Sequence, residues 1–366
     1  MNAIAADAPS GVLPETVTQS ADVAELVERL WHRSLGPKAR APRANILQVG
    51  VGLRRIVRLM KDLQSELGLT VRATALLQLG TLDALLDAIR TGQWPEPSPC
   101  VKLRDGDDRP PLYIVSAGSG LVLELCAFAR LIEYSGPVWG LQLPGLDGET
   151  APLTDLTDMA KCHRDAIIAR QPDGPYHLIG YSFGGIVALE TARELAATGR
   201  RIGLIGLIDS NLDERHWPKA AWVRDVLKRC LVRAAAARHL PPREAVDHIV
   251  HRARNLVRYF GRKAAGETAA SIHASAYYIG GLEPDFQRVR DSSIVAYQTY
   301  VPRRLNLKVT LFKSELGDPH ACDPVPVWRQ FAHRKNLDVV MIPGSHTTMV
   351  RPPFAQVLAA EIVRRL

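Results

Sequence analysis

Residues 176–197 read YHLIGYSFGGIVALETARELAA, and the change of period inside this stretch decides the fold. YHLIG is a short apolar run without polar alternation, as in a strand buried on both faces of a parallel sheet. From Phe183 the small, apolar and charged residues fall at helical spacing, which predicts a helix over 183–198. Between strand and helix lies Gly180-Tyr181-Ser182-Phe183-Gly184, a G-x-S-x-G match. A sharp strand-to-helix turn pushes the central serine into strained backbone, and the flanking glycines relieve the crowding around it. The alternative reading, a tight turn with an incidental serine, does not account for the strand before it and the helix after it.

Outward from this stretch the texture repeats. PLYIVSAG, PVWGLQLPG, IGLIGLIDS, LKVTLFKS and LDVVMIPGS are further short apolar runs, most of them separated by helical segments. Repeated βα units predict a doubly wound α/β domain over 111–366. The stretch of about 213–291 shows no clear strand and interrupts the alternation with basic amphipathic helices, the place for a helical lid. Between Lys219 and Lys263 it holds twelve Lys/Arg against three Asp/Glu, within a chain of net charge +8. Such a surplus suits an acidic protein or anionic surface, or is simply a solvated helix face. Aromatics are sparse there and no nucleic-acid motif accompanies the charge, so nucleic acid is the least favoured partner.

A serine hydroxyl is a weak nucleophile at neutral pH and needs a general base. His346, in Pro343-Gly344-Ser345-His346, follows the last apolar strand and so falls at the carboxyl edge of the sheet beside the elbow. His216, His239, His248, His251 and His273 fall in the lid stretch, and His163 and His333 in predicted helices. Two carboxylates could orient the imidazole. Asp209 ends the strand after the elbow helix, and Asp318 follows the strand LKVTLF. The pattern alone does not separate them.

Upstream, residues 1–19 are rich in Ala, Pro, Ser and Thr and predict a mobile tail, and residues 20–92 read as helical. Val23, Val27, Leu30 and Trp31 share one helix face, with Ser20 or Asp22 as cap. Leu53, Ile56, Val57, Met60, Leu63 and Leu67 share a second, which Gly68 is placed to end, and Leu82, Leu85, Leu86 and Ile89 a third over 81–90. The prolines of TGQWPEPSPC predict a linker over 93–110, leaving the α/β core complete without residues 1–99. The five cysteines are scattered and lack a CxxC pair, which suits neither a disulfide framework nor a zinc site. No metal is expected. The acidic start lacks a signal peptide's basic and apolar regions, and no apolar run nears the ~20 residues of a membrane span. The expectation is a soluble cytoplasmic protein with no membrane partner.

Several stretches carry a family likeness. PLYIVSAGSG, VWGLQLPGLDGE, YHLIGYSFGGIVALETARELAATG, LIGLIDS and IPGSHTTMV resemble, in order and spacing, the type I thioesterase domains that close nonribosomal peptide and polyketide assembly lines, of the α/β-hydrolase superfamily. The resemblance implies a Ser182, Asp209 and His346 triad, with Asp318 a solvated loop residue, and an oxyanion hole from the amides of Gly118 and Phe183. It departs at Ser116-Ala117-Gly118-Ser119-Gly120, where the family usually has His-Pro-x-Gly-Gly. Residues 20–92 resemble the acyl or peptidyl carrier domain that precedes such thioesterases. Where carriers have Gly-Gly-(Asp/His)-Ser-Leu, this chain has Val49-Gly50-Val51-Gly52-Leu53, one residue shorter, so Gly52 stands where phosphopantetheine would attach. The bundle is then a pseudo-carrier kept for docking or packing, or a remnant. The resemblance implies release of an acyl or peptidyl chain from phosphopantetheine on a partner carrier protein or synthetase module acting in trans, with no covalently bound cofactor in this chain. The rival readings are an acyltransferase or acyl shuttle, an editing type II-like thioesterase, and a non-catalytic docking protein.

Overall fold

The computed structural model describes residues 21–41, 43–96, 98–146, 150–225, 227, 284–318 and 321–366. Most of the basic stretch and of the lid expected over 213–291 therefore lies outside the described residues, as does the tail.

The N-terminal part is a helical bundle: α1 (Ala21–Leu35), α2 (Leu53–Leu67), α3 (Ala73–Leu79) and α4 (Leu82–Thr91). Its core joins Val27, Leu30 and Trp31 of α1 to Ile56, Leu59 and Leu63 of α2 and Leu85 of α4, all essentially inaccessible. Each such side chain contributes about 1.5–3 kcal/mol on burial. Gly68 ends α2 at φ 68°, its N–H bonded back to Gln64 and Leu63 carbonyls, and the Thr81 side chain caps α4 by accepting from Ala84 N–H. The short helix α3 was not among the helices expected from periodicity. It is buried over Ala73, Thr74, Ala75, Leu76 and Leu77, so it has no polar face to mark a helical period.

The remainder is one seven-stranded sheet: β1 (Cys100–Arg104), β2 (Leu112–Val115), β3 (Val138–Leu141), β4 (Tyr176–Tyr181), β5 (Ile202–Ile208), β6 (Val309–Ser314) and β7 (Leu337–Ile342). The spatial order is β1-β3-β2-β4-β5-β6-β7. Only β1 runs antiparallel, against β3. The chain runs from β2 outward to β3 and then back past β2 to β4, so the switch point lies between neighbours β2 and β4, at whose carboxyl ends open α/β sheets bind ligands. Helices α5 (Cys126–Ala129), α6 (Leu156–Arg170), α7 (Phe183–Ala197), α8 (Pro284–Thr299), α9 (Pro324–Trp328) and α10 (Phe354–Val363) complete the described elements.

Two expectations change. The segment 93–110 is not only a linker, because it contains edge strand β1. CVKLR is short and carries a lysine, yet it buries Cys100, Val101 and Leu103 against the sheet. Nor is the α/β core complete without the bundle. One continuous apolar cluster runs from Val27 and Ile56 to Val101, Leu103, Phe128 and Ile132. Ala73 is buried in the second core with Cys100 and Tyr113, and Val57 and Met60 pack against that core. Gln78 Nε2 donates to Ser98 O at 3.3 Å, and the Arg130 guanidinium donates to the Gln48 carbonyl.

The segment just after α8 is tied to the elbow helix α7. Glu190 of α7 is 1 % exposed, accepts the Tyr300 hydroxyl at 2.6 Å, and pairs with Arg193 and Arg303. A buried carboxylate with three donors is satisfied, whereas removing its partners would leave an uncompensated charge.

Candidate active site

The elbow is built from close approaches that only glycine permits. A Cβ at Gly180 would overlap the Gly184 carbonyl, one at Gly184 the Ser116 carbonyl, and one at Gly185 the Ser210 side chain. The start of α7 therefore sits directly on the ends of β2, β4 and β5. Ser182 lies between β4 and α7 at φ 56°, ψ −123°, a conformation that non-glycine residues avoid. Its N–H is held by the Ile208 carbonyl at 2.9 Å.

Asp209 follows β5, also at positive φ (46°), with its N–H bonded to Phe312 O at 2.8 Å. Its carboxylate is 3 % exposed and accepts three hydrogen bonds. These come from His346 Nδ1 at 2.9 Å, the Ser314 N–H at 3.0 Å and the Ser314 hydroxyl at 2.8 Å. Burial pushes this carboxyl up, but the bonds from His346 and Ser314 outweigh it and hold the group below its ordinary value. Ser314, at the end of β6, had no signal in the sequence. Its role depends on β6 lying beside β5, which the local pattern does not give.

His346 follows β7 on a turn with Gly344 at φ 94°, and its N–H donates to Gly317 O at 3.2 Å. Burial pulls the imidazole down, but the hydrogen bond to Asp209 and the charges of Asp318 and Asp209 leave it above its ordinary 6.5. Asp318 sits on the loop after β6 as expected. It is half-buried rather than fully solvated, and its charge helps to raise the His346 imidazole. Asp209 bonds the imidazole through Nδ1. Tyr181, the variable residue before Ser182, stacks on the His346 ring with centroids 5.0 Å apart.

Gly118 lies in the loop after β2, and a Cβ placed there would stand 3.8 Å from Cβ of Phe183. The two amides singled out for an oxyanion hole therefore belong to neighbouring backbone segments. His163, expected in a helix, lies in α6, fully buried, with Nε2 bonded to Gln142 O at 2.8 Å. Burial pushes it down to about 4, so it stays neutral and structural. His333 caps a single 3-10 turn and is not in an α-helix. Gly52 belongs to the bundle, not to this site, and precedes the first residue of α2. Among the described residues no His/Cys/Asp/Glu group gathers to hold a metal, no cysteine is in a disulfide, and no helix is long and apolar enough to cross a membrane.

This sheet, with a strained serine at the β4–α7 turn and a buried Asp–His pair at neighbouring strand ends, defines an α/β-hydrolase fold. The family model for the Thioesterase domain matches residues 110–362, more than half of the chain, and the chain belongs to that family. Among curated relatives it is 31 % identical over 197 residues to malpibaldin synthetase of Mortierella alpina, covering 53 % of this chain and 4 % of that protein. It is 30 % identical over 167 residues to nonribosomal peptide synthetase apvA of Aspergillus terreus, covering 44 % of this chain and 18 % of that one. The chain thus spans less than a quarter of the length of these relatives. A solved structure of holo-AB3403, a four-domain nonribosomal peptide synthetase, covers 100 % of this chain and 27 % of its own, at TM-score 0.54 and 22 % identity. That likeness concerns the fold, including the N-terminal helices.

Proposed function

We propose that this thioesterase releases an acyl or peptidyl chain from a phosphopantetheine thioester on a partner carrier protein, through an acyl-enzyme on Ser182, in natural-product biosynthesis. The observation that supports it best is the bond between His346 and the buried Asp209 carboxylate, beside the strained elbow serine. His346 donates Nδ1–H to Asp209, which leaves Nε2 as the base that takes the Ser182 proton. Ser182 Oγ attacks the thioester carbonyl, and the amides of Gly118 and Phe183 receive the oxyanion. Collapse expels the thiol, protonated by the imidazolium. Water, an amine or an alcohol then attacks the ester by the reverse proton path, giving acid, conjugate or cyclic product. The relatives' names, synthetases of nonribosomal peptides among them, support the pathway context.

The bundle does not fit a resident phosphopantetheine. Gly52 offers no hydroxyl, and Ser65, twelve residues along α2, donates its hydroxyl to Asp62 O at 3.2 Å. Substrate is therefore assigned to a carrier other than this bundle. Incubation with a phosphopantetheinyl transferase and coenzyme A is expected to add no mass to the protein. A Cβ at Gly52 would meet no heavy atom within 4 Å, and its backbone is extended (φ −78°, ψ 156°). Gly52→Ser should therefore fold and gain a few tenths of a kcal/mol from capping α2. Mass spectrometry and a thermal melt check both points. Phosphopantetheinylation of the unaltered protein would contradict the assignment.

The acidic limb of kcat/KM follows from the site's charges. The reaction needs neutral His346, so activity is lost as pH falls through its pKa, which lies above 6.5. Asp318→Asn removes a negative charge that favours the imidazolium and should shift that limb to lower pH, with little loss at the plateau. A pH–rate profile on a soluble acyl-pantetheine thioester reads this directly. An unmoved limb would mean that Asp318 is too well screened to act on the base.

The proposal as a whole is tested by comparing a charged partner carrier with the same acyl group on free pantetheine, followed by product analysis with and without amines. Carrier-bound substrate should give the higher kcat/KM. Failure to turn over either thioester would overturn it.

A further inference from the structure

Tyr181 occupies the variable position before Ser182, and it touches His346 in two ways. Its hydroxyl donates to the His346 carbonyl at 2.8 Å, and its ring lies over the imidazole at 5.0 Å with an interplanar angle of 25°. The residue is half-buried and packs on the apolar cluster containing Met349 and Val350, just beyond His346. Burial, together with the charges of Asp209, Glu124 and Asp318, pushes the phenol up despite Arg351, so the hydroxyl keeps its proton and keeps donating.

Asp209 fixes one ring atom, Nδ1, and the Gly317 carbonyl fixes the backbone N–H. A single hydrogen bond sets the place of one ring atom and does not by itself set the plane of the ring. A flat face at stacking distance sets that plane. Tyr181 is bonded directly to Ser182, so the face that sets the ring belongs to the same turn that sets the nucleophile. We propose that Tyr181 is a positioning residue that fixes the plane of the His346 imidazole and, through it, the line from Nε2 to Ser182 Oγ.

This inference rests on the serine mechanism proposed above. It is distinct from packing, because packing would be met by any apolar side chain of similar size. A ring face also favours an imidazolium beneath it, adding to the charges of Asp209 and Asp318 that face the same ring. Removing the ring should therefore alter both the rate and the pH at which the base titrates.

The test uses the full chain, a fluorophosphonate that labels activated serines, and a soluble acyl-pantetheine thioester. Tyr181→Met fills similar volume without a ring, and Tyr181→Leu serves the same purpose if Met prevents folding. Either is expected to lower kcat on the order of 100-fold, the scale of a small misplacement of a reacting group, with KM changed less than about threefold. The acidic limb should move down by about half a pH unit, the scale of one lost cation–π contact. Tyr181→Phe keeps the ring and should restore kcat to within about threefold of the unaltered protein, with the limb in place. Labelling of the unaltered protein at Ser182, combined with unchanged kcat and limb in the ringless variant, overturns the positioning role alone. So does a Tyr181→Phe variant as impaired as Tyr181→Met. No labelling at Ser182 in the unaltered protein overturns the serine reading and this inference with it.

Discussion

Ser182→Ala is expected to abolish acyl-enzyme formation, and His346→Ala to lower turnover by several powers of ten, in keeping with residues that act as one unit. The finer expectation concerns the acid. Asp209→Asn removes the charge under the imidazolium and lets the amide reverse the Nδ1 hydrogen bond, which selects the wrong tautomer. A loss of about 10⁴ in kcat follows. Asp318→Asn should cost far less, because Asp209 keeps both the 2.9 Å bond to His346 and its own support from Ser314. Steady-state kinetics of the four variants on one soluble thioester distinguishes these outcomes. An Asp318→Asn variant more damaged than Asp209→Asn would reverse the assignment. Ser314→Ala is expected to fall between them, since it removes one of the acceptor's three donors.

Removal of residues 1–92 is expected to destabilise the thioesterase rather than leave it intact. The bundle covers the β1 edge, and Val57, Met60 and Ala73 take part in the packing of the sheet domain. Uncovering Val101 and Leu103, which share an apolar cluster with the bundle, costs about 3–6 kcal/mol. For a domain of this size that corresponds to a fall in Tm on the order of 10 °C. The truncated chain should also bind a dye for exposed apolar surface. Calorimetry of the full chain should show one transition, because the apolar cluster is continuous across the two parts. Two independent transitions, with the truncated chain melting at the temperature of the upper one, would show that the bundle is only tethered.

The extent to which the sequence anticipated this site follows from how local each feature is. The strand YHLIG, the elbow and helix α7 were legible because strand period, strained turn and helix period are all written within 176–197. Six of the seven strands stood out as apolar runs for the same reason. Strand β1 did not, since it is a five-residue edge strand with a lysine, following a run of prolines. Helix α3 has no polar face, so periodicity cannot mark it. The choice between Asp209 and Asp318 was open on pattern, because both follow strands that end at the same edge. The resemblance favoured Asp209, the residue found bonded to His346. Ser314 and Tyr181 carried no signal. Each acts only through a neighbour more than a hundred residues away, Asp209 for one and His346 for the other.

On the mechanism proposed, a chain leaves its thioester by way of Ser182. Incubating the protein with an acyl-pantetheine thioester, quenching in acid within the turnover time and mapping peptide masses tests it directly. The expected result is the acyl mass on the peptide containing Ser182, its absence in Ser182→Ala, and its accumulation when the acceptor is withheld. Turnover with no acyl mass on that peptide, or equal turnover by Ser182→Ala, would contradict it.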